Sequence, residues 1–132
     1  MNRNTASKRG LYTAKVADFY VPYIRPQENG NRTNVKYVSF LNGQYEGVRI
    51  TANKTIEFSV HHNSIEDFDG GKTKSQTHTT DVKPRDFVFI TVDYMQMGVG
   101  GDNSWGKEGL AHKQYQINPE NCSYSFTISF VD

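Results

Sequence analysis

One glycine-rich stretch has the residue types of a sugar-binding loop. It runs from Met95 to Gly106, holds four glycines within its last nine positions and carries the only tryptophan of the chain, Trp105. A sugar ring can stack its apolar face on an indole, while the side chains of Asp102 and Asn103 hydrogen-bond its hydroxyl groups. A buried Trp105 above a tight glycine turn explains the same residues, and on residue pattern alone we favour that interpretation.

A second polar stretch, Tyr23–Thr33, places charged and amide side chains next to proline and glycine. It has the residue types for one polar wall of a binding site. A hydrogen-bonded turn between strands, in which Arg25 and Glu28 neutralise each other, explains most of these side chains, and we favour it.

No combination of residues indicates catalysis by this chain alone. The four histidines lack the spacing of zinc-binding motifs, and His61 and His62 would point to opposite faces of a strand. The carboxylates form no recognisable glycosidase pair, and neither a Ser-His-Asp arrangement nor a phosphate-binding GxxxxGK[ST] loop is evident. We therefore predict no catalytic residue, no metal site and no cofactor in this chain.

The elements that must position these residues are predicted to be β-strands. Residue period and β-branched content predict five of them: Asn34–Leu41, Gly47–Ala52, Thr55–His61, Phe87–Tyr94 and Cys122–Phe130. Phe87–Tyr94 is apolar on both faces, which is typical of a central strand covered on both sides. The last strand alternates apolar and hydroxyl residues, so we expect it to be half-buried with Cys122 in the core.

Turn residues separate these strands. The pairs Asn29-Gly30 and Asn42-Gly43 and the triplet Asp69-Gly70-Gly71 tolerate positive φ angles. One short helix is predicted to begin near Ser64, with Asp67 at the capping-box position. Short strands with almost no helix predict an all-β fold, an antiparallel β-sandwich.

Length and charge restrict the class of protein further. The 132 residues fit one domain, which we divide into a disordered lead or linker over residues 1–10 and a β-sandwich domain over residues 11–132. The net charge of +1 predicts neither nucleic acid nor a membrane surface as a partner. Cys122 is the only cysteine, so cysteine content leaves the compartment open between cytoplasm and periplasm.

Several motifs resemble one known family. The runs RPQENGNRT, YMQMGVGGDNSWG and HKQY, with the closing YSFTISF strand, resemble the C-terminal small-chain region of glycoside hydrolase family 2 β-galactosidases. The resemblance covers Val21 to Asp132. Some members of the family carry Asp where this chain has Asn103.

The resemblance implies a fold, an enzyme and a role for Trp105. The fold would be about the C-terminal half of a galactose mutarotase-like supersandwich. The enzyme would be a retaining β-galactosidase whose two catalytic glutamates, together with Mg and Na ions, lie on a barrel domain that is absent here. Trp105 would stack on the β-galactoside, mainly on its aglycone side. Asp102 and Asn103 flank it as candidate substrate-binding residues, with Asp102 expected mainly to shape the loop.

Three functions stay open at this point. The first is a non-catalytic accessory part whose partner is the rest of the β-galactosidase chain. The second is a free-standing carbohydrate-binding module, and the third is a structural domain with Trp105 buried. Half a sandwich would also leave apolar surface uncovered, which a homodimer of the fragment would hide.

Overall fold

The described part of the chain has an all-β fold built on one four-stranded sheet. The computed structural model describes residues 9–22, 30–69, 78–97, 101–103, 105–120 and 122–132. The strands are β1 (Arg32–Leu41), β2 (Gly47–His61), β3 (Phe89–Asp93) and β4 (Phe126–Val131), and short 3-10 helices cover Val16–Phe19, Ile65–Phe68, Gly106–Gly109 and Lys113–Tyr115. The predicted all-β, antiparallel fold class is confirmed. Within the described ranges, no helix has the length and apolar character needed to cross a bilayer.

Some predicted features lie outside the described residues. They are the lead over residues 1–8, the polar stretch 23–29 with Arg25 and Glu28, the glycines of the turn at 70–71, and positions 98–100 and 104 of the glycine-rich stretch. The division into a lead over residues 1–10 and a domain over residues 11–132 stays a prediction.

β2 is the strand with which each of the other described strands pairs. The order is β1-β2-β3, and β4 also pairs with β2, antiparallel and in register from Gly47↔Val131 to Ala52↔Phe126. Two strands were expected here, Gly47–Ala52 and Thr55–His61. They are one continuous strand because no glycine or proline interrupts them, and because the Asn53 amide donates to the Ser125 carbonyl at 3.0 Å just beyond the end of β4.

The connection from β1 to β2 is a turn held by one side chain. The Asn42 carboxamide oxygen accepts hydrogen bonds from the backbone amides of Gln44 at 2.8 Å and Glu46 at 3.0 Å. A turn was expected at Asn42-Gly43, but the residue with positive φ is Tyr45, at 68°. The other predicted turn, at Asn29-Gly30, does have a glycine with positive φ, since φ of Gly30 is 70°.

The described residues divide into two compact units. One is drawn from Met1–Arg32 and Phe58–Thr91, the other from Thr33–Glu57 and Val92–Asp132.

In the first unit, aromatic residues pack around the end of β2. Phe58, Val60 and Phe68 are buried, the rings of Phe19 and Phe58 lie 6.0 Å apart, and Tyr20 stacks on Phe68 at 6.4 Å. Ser59 and His61 on the opposite face are buried as well. The strand that is buried on both faces is therefore this part of β2.

The expectation that Phe87–Tyr94 is such a strand was wrong. β3 spans only Phe89–Asp93 and is half-buried throughout, and Phe87, Val88 and Tyr94 are exposed. The physical reason is its position at the end of the strand order, where it pairs with β2 on one side.

The helix predicted near Ser64 is present as the 3-10 helix Ile65–Phe68. The Ser64 amide donates to the Asp67 carboxylate at 3.0 Å, as the capping box requires. Arg85 holds the same carboxylate through a two-bond contact, with its Nε atom 2.9 Å from Asp67 Oδ2. The hydrogen bond from Arg85 is the main reason why the pKa of Asp67 lies below its ordinary value, and burial opposes it.

In the second unit, Ile50, Ile56 and Ala111 form the buried apolar core. The exposed face of β1 and β2 is tied by Arg49, whose Nε donates to Ser39 Oγ at 2.9 Å while its guanidinium lies 5.2 Å from the Tyr37 ring centre.

β4 does not have the predicted half-buried face. Its apolar residues Phe126, Ile128 and Phe130 are exposed, and Cys122, expected in the core, is exposed with its thiol donating to the Asn118 carbonyl at 3.0 Å. The register sets these three residues opposite Ala52, Ile50 and Val48. The strand is therefore amphipathic as predicted, but no layer among the described residues covers its apolar row.

The Asp67 contact predicts a pH-dependent contribution to folding stability. Because the folded pKa is lowered, the contribution is present above the ordinary pKa of 3.8 and is lost as pH falls through the lowered folded value. We expect Asp67→Asn to lower the free energy of unfolding by about 1 kcal/mol at pH 7, the size of a lost helix cap. Urea unfolding should show the difference shrinking toward zero below pH 3.8, and a difference that is the same at pH 7 and at low pH would contradict it.

Candidate functional site

The candidate site is the loop from Gly101 to His112, which we call the Trp105 loop; its residue 104 is not described. It belongs to the connection between β3 and β4. The base of this connection is closed by Tyr124, whose hydroxyl donates to the Val92 carbonyl at 2.9 Å and whose ring lies 6.0 Å from that of Tyr94. Nearby, the Gln96 amide donates to the Glu57 carboxylate at 3.0 Å. The connection that carries the loop is therefore tethered near its start and near its end.

Trp105 is the most exposed large hydrophobic side chain among the described residues of the loop. Its exposed fraction is 81%, so the interpretation of Trp105 as a buried core residue was wrong. Its backbone is extended, with φ −125° and ψ 137°, and it stands directly before the 3-10 helix Gly106–Gly109. No helix was predicted after the glycine-rich stretch; the one found is a single turn. The loop presents one aromatic face to solvent, which suits stacking on an apolar ring face.

Asn103 connects the two sides of the loop. Its amide nitrogen Nδ2 donates to Glu108 Oε2 at 2.7 Å, and its oxygen Oδ1 accepts from the Trp105 backbone amide at 2.7 Å. The backbone amides of Asp102 and Asn103 both reach the Glu108 carbonyl oxygen, at 2.8 Å and 3.4 Å. Glu108 thus receives three hydrogen bonds from the opposite side of the loop.

Asp102 makes a second cross-link. Its Oδ1 atom lies 2.9 Å from His112 Nε2, in an exposed pair. Ala111, directly before His112, is buried, and its carbonyl accepts a hydrogen bond from Gln116 Nε2 at 2.7 Å. The contact of Asp102 with His112 fits the expectation that Asp102 shapes the loop. Sugar binding by Asp102, Asn103 and Trp105 stays a prediction.

Two glycines are required by the loop geometry. A Cβ atom on Gly101 would collide with the Glu108 carbonyl oxygen, the Gly109 carbonyl carbon and the Leu110 carbonyl oxygen. Gly106 has a φ of 60°, a left-handed conformation that side chains disfavour. Among the described residues of this stretch, the predicted need for sharp backbone angles is met at Gly106, whereas Gly101 is needed for the close approach of the backbone.

Sequence reasoning missed Glu108 and His112 as parts of the site. Glu108 is one of the carboxylates that form no recognisable glycosidase pair, and His112 was considered as one of the four histidines and as the first residue of the HKQY motif. Neither residue lies on a periodic pattern. Only their closeness within a glycine-rich segment could therefore have indicated their contacts with Asn103 and Asp102.

The described histidine, cysteine and acidic side chains are not clustered as metal ligands. No group of three or more His, Cys, Asp or Glu side chains within these ranges has the geometry to hold a metal ion. His62 Nδ1 lies 3.2 Å from the Phe87 carbonyl oxygen, which is a structural contact.

The first unit contains a half-open cavity of about 200 Å³. Its polar lining is tied to the fold: Ser59 is hydrogen-bonded to Thr91, and Asn63 Nδ2 donates to the Lys83 carbonyl at 2.7 Å. These contacts give the side chains of Ser59, Thr91 and Asn63 structural partners.

Comparison with known proteins gives a consistent result. The sequence model of the family described as Beta galactosidase small chain matches residues 1–129. The β-galactosidase of Priestia megaterium is 34% identical over 128 residues, which are 97% of this chain and 12% of that protein. The β-galactosidase of Alteromonas mediterranea is 33% identical over 129 residues, covering 98% of this chain and 11% of its own. The chain therefore spans about an eighth or less of these relatives.

The collision at Gly101 predicts a specific loss of loop order. We expect Gly101→Ala to lower the free energy of unfolding by about 1–3 kcal/mol, because the new methyl group displaces the backbone that Glu108 closes. Gly43→Ala is the matched control, since its Cβ meets no atom within 4 Å. Chemical unfolding, with Trp105 fluorescence reporting on the loop, measures both; equal effects of the two substitutions would contradict the assignment.

Proposed function

The chain belongs to the β-galactosidase small-chain family, and from that premise we propose that it is a non-catalytic accessory part of a retaining β-galactosidase. It supplies Trp105 to a substrate site that the rest of the enzyme builds. The observation that carries the proposal is the indole exposed at the tip of a cross-linked loop. Because the chain matches only a small part of its relatives, the remainder of such an enzyme is its partner.

The contribution of Trp105 is to binding and orientation. Its indole stacks on the apolar face of the β-galactoside, mainly on the aglycone side, and displaces water there. One stacking contact of this kind adds about 1 kcal/mol, so it orients a substrate without holding it alone. The glutamates that attack and protonate the glycosidic bond, and the Mg and Na ions, belong to the remainder of the enzyme, and this chain performs no step through a metal.

An uncovered apolar face on β4 is the surface for that remainder. The exposed fractions are 38% for Phe126, 62% for Ile128 and 87% for Phe130, and Tyr124 just before the strand is 47% exposed. β4 carries no charged residue or proline, the usual protections of an edge strand. Such a row would promote association in an isolated domain, so we propose that another part of the β-galactosidase polypeptide covers it. A homodimer of the isolated chain is the competing way to cover it.

The alternative function is a free-standing carbohydrate-binding module. One observation favours it: Tyr115, on the 3-10 helix that follows the Trp105 loop, is 66% exposed and offers a second aromatic platform. Millimolar or weaker binding of galactose or lactose to the isolated chain, without hydrolysis, fits the accessory role. Tight saturable binding that Trp105→Ala abolishes would favour the module.

A chimeric enzyme tests the proposal directly. In it, this chain replaces the matching 128 residues of the P. megaterium β-galactosidase. We expect Trp105→Ala to leave assembly intact and to lower kcat/KM for lactose about tenfold through loss of stacking, with Trp105→Phe retaining most of it.

Phe130→Ser in the same chimera addresses the apolar face. It should lower the thermal stability of the assembled enzyme while leaving KM unchanged in the fraction that folds, because the proposal places Phe130 against the remainder of the enzyme and not against substrate. Unchanged kcat/KM in Trp105→Ala would contradict the role of the indole, and unchanged stability in Phe130→Ser would contradict the docking face.

A further inference from the structure

We propose that Asn103 and Glu108 form a matched amide–carboxylate clamp whose role is to position Trp105. Asn103 is thereby a positioning residue for the stacking contact, and Glu108 is its partner. The positioning of the indole stands on the loop geometry alone; its consequence for sugar binding rests on the proposed function.

The orientation of the Asn103 side chain is fixed by its two neighbours. A carboxylate only accepts hydrogen bonds, so the group that faces Glu108 Oε2 at 2.7 Å has to be the NH₂. A backbone amide only donates, so the group that faces the Trp105 nitrogen at 2.7 Å has to be the oxygen. Both polar groups of this short side chain therefore have a partner, and exchanging the positions of the NH₂ and the oxygen would break both hydrogen bonds.

The clamp closes the chain around Trp105. Asp102 and Asn103 lie on one side of the loop, and Glu108 lies on the other. The Glu108 carbonyl accepts hydrogen bonds from the backbone amides of both residues. Trp105 lies between these points, and its own amide is bound by Asn103. Fixing the backbone at Trp105 limits the directions in which its exposed indole can project, which lowers the entropy that is lost on stacking.

The pair is matched because its two members are complementary in hydrogen-bonding type. With aspartate at position 103, two carboxylates would face each other across a 2.7 Å contact, and the bond would be replaced by repulsion. The aspartate would still accept the Trp105 amide, so Asn103→Asp removes the cross-loop bond alone. Adding Glu108→Gln restores a donor opposite the new carboxylate, with the polarity of the bond reversed.

Four forms of the isolated chain test the clamp: the unmodified chain, Asn103→Asp, Glu108→Gln and the double variant. Time-resolved fluorescence anisotropy of Trp105, the only tryptophan, measures how far the indole moves within the loop. We expect Asn103→Asp to widen that motion, Glu108→Gln to change it little, and the double variant to return to the unmodified value. Glu120→Gln, outside the loop, is the control for removing one carboxylate, and circular dichroism checks that all forms are folded.

The results distinguish the clamp itself from the proposed role of Trp105 in substrate binding. A double variant as mobile as Asn103→Asp, or four forms with equal motion, would overturn the clamp. In the chimeric enzyme we expect Asn103→Asp to raise KM about fivefold, the loss of one hydrogen bond, and the double variant to restore it. An anisotropy pattern as expected with a KM that does not change would support the clamp and overturn the role of Trp105 in substrate binding.

Discussion

The pairing of β1, β3 and β4, the remaining described strands, with β2 is the constraint on which the rest of the structure depends. β2 continues without a break from Gly47 to His61, and β4 extends along its first part while β3 also pairs with it. Because β3 and β4 share this partner, the long connection between them starts and ends at fixed places. The Tyr124 hydroxyl on the Val92 carbonyl tightens that base further. The Trp105 loop can therefore be exposed and still be held by its own cross-links.

The sequence predicted local structure better than it predicted which faces of the strands are covered by other residues. A period of two identified the strands, and Ser64 with Asp67 identified the one capped turn that Arg85 stabilises. The burial of β4 was wrong because alternation indicates that one face is apolar, whereas the layer that covers it is absent from the described residues. The same limit applies to Phe87–Tyr94: two apolar faces indicate hydrophobic surface and not a central position.

The candidate site was predicted unevenly for a similar reason. Glycine content indicated unusual backbone angles, and Gly106 has one, while Gly101 is required because neighbouring backbone atoms leave no room for a Cβ. Pattern alone placed Trp105 in the core, since a tryptophan near glycines fits a buried turn, and only the family resemblance favoured exposure. The contacts of Glu108 and His112 join residues five and ten positions away with no period, so no sequence rule predicted them. The chain thus has two separate exposed surfaces, the apolar row of β4 and the indole, and each has its own proposed role.

The most direct test of the central claim follows the single indole in an assembled enzyme. The chain is labelled with 5-fluorotryptophan at Trp105, its only tryptophan, and joined to the unlabelled remainder of a β-galactosidase by segmental ligation. The ¹⁹F resonance is then recorded while a non-hydrolysable galactoside is added. The account predicts a saturable shift of that resonance in the assembly and none at the same concentrations in the isolated chain. A resonance that stays unchanged while the assembled enzyme binds the galactoside would contradict the claim that Trp105 contacts substrate.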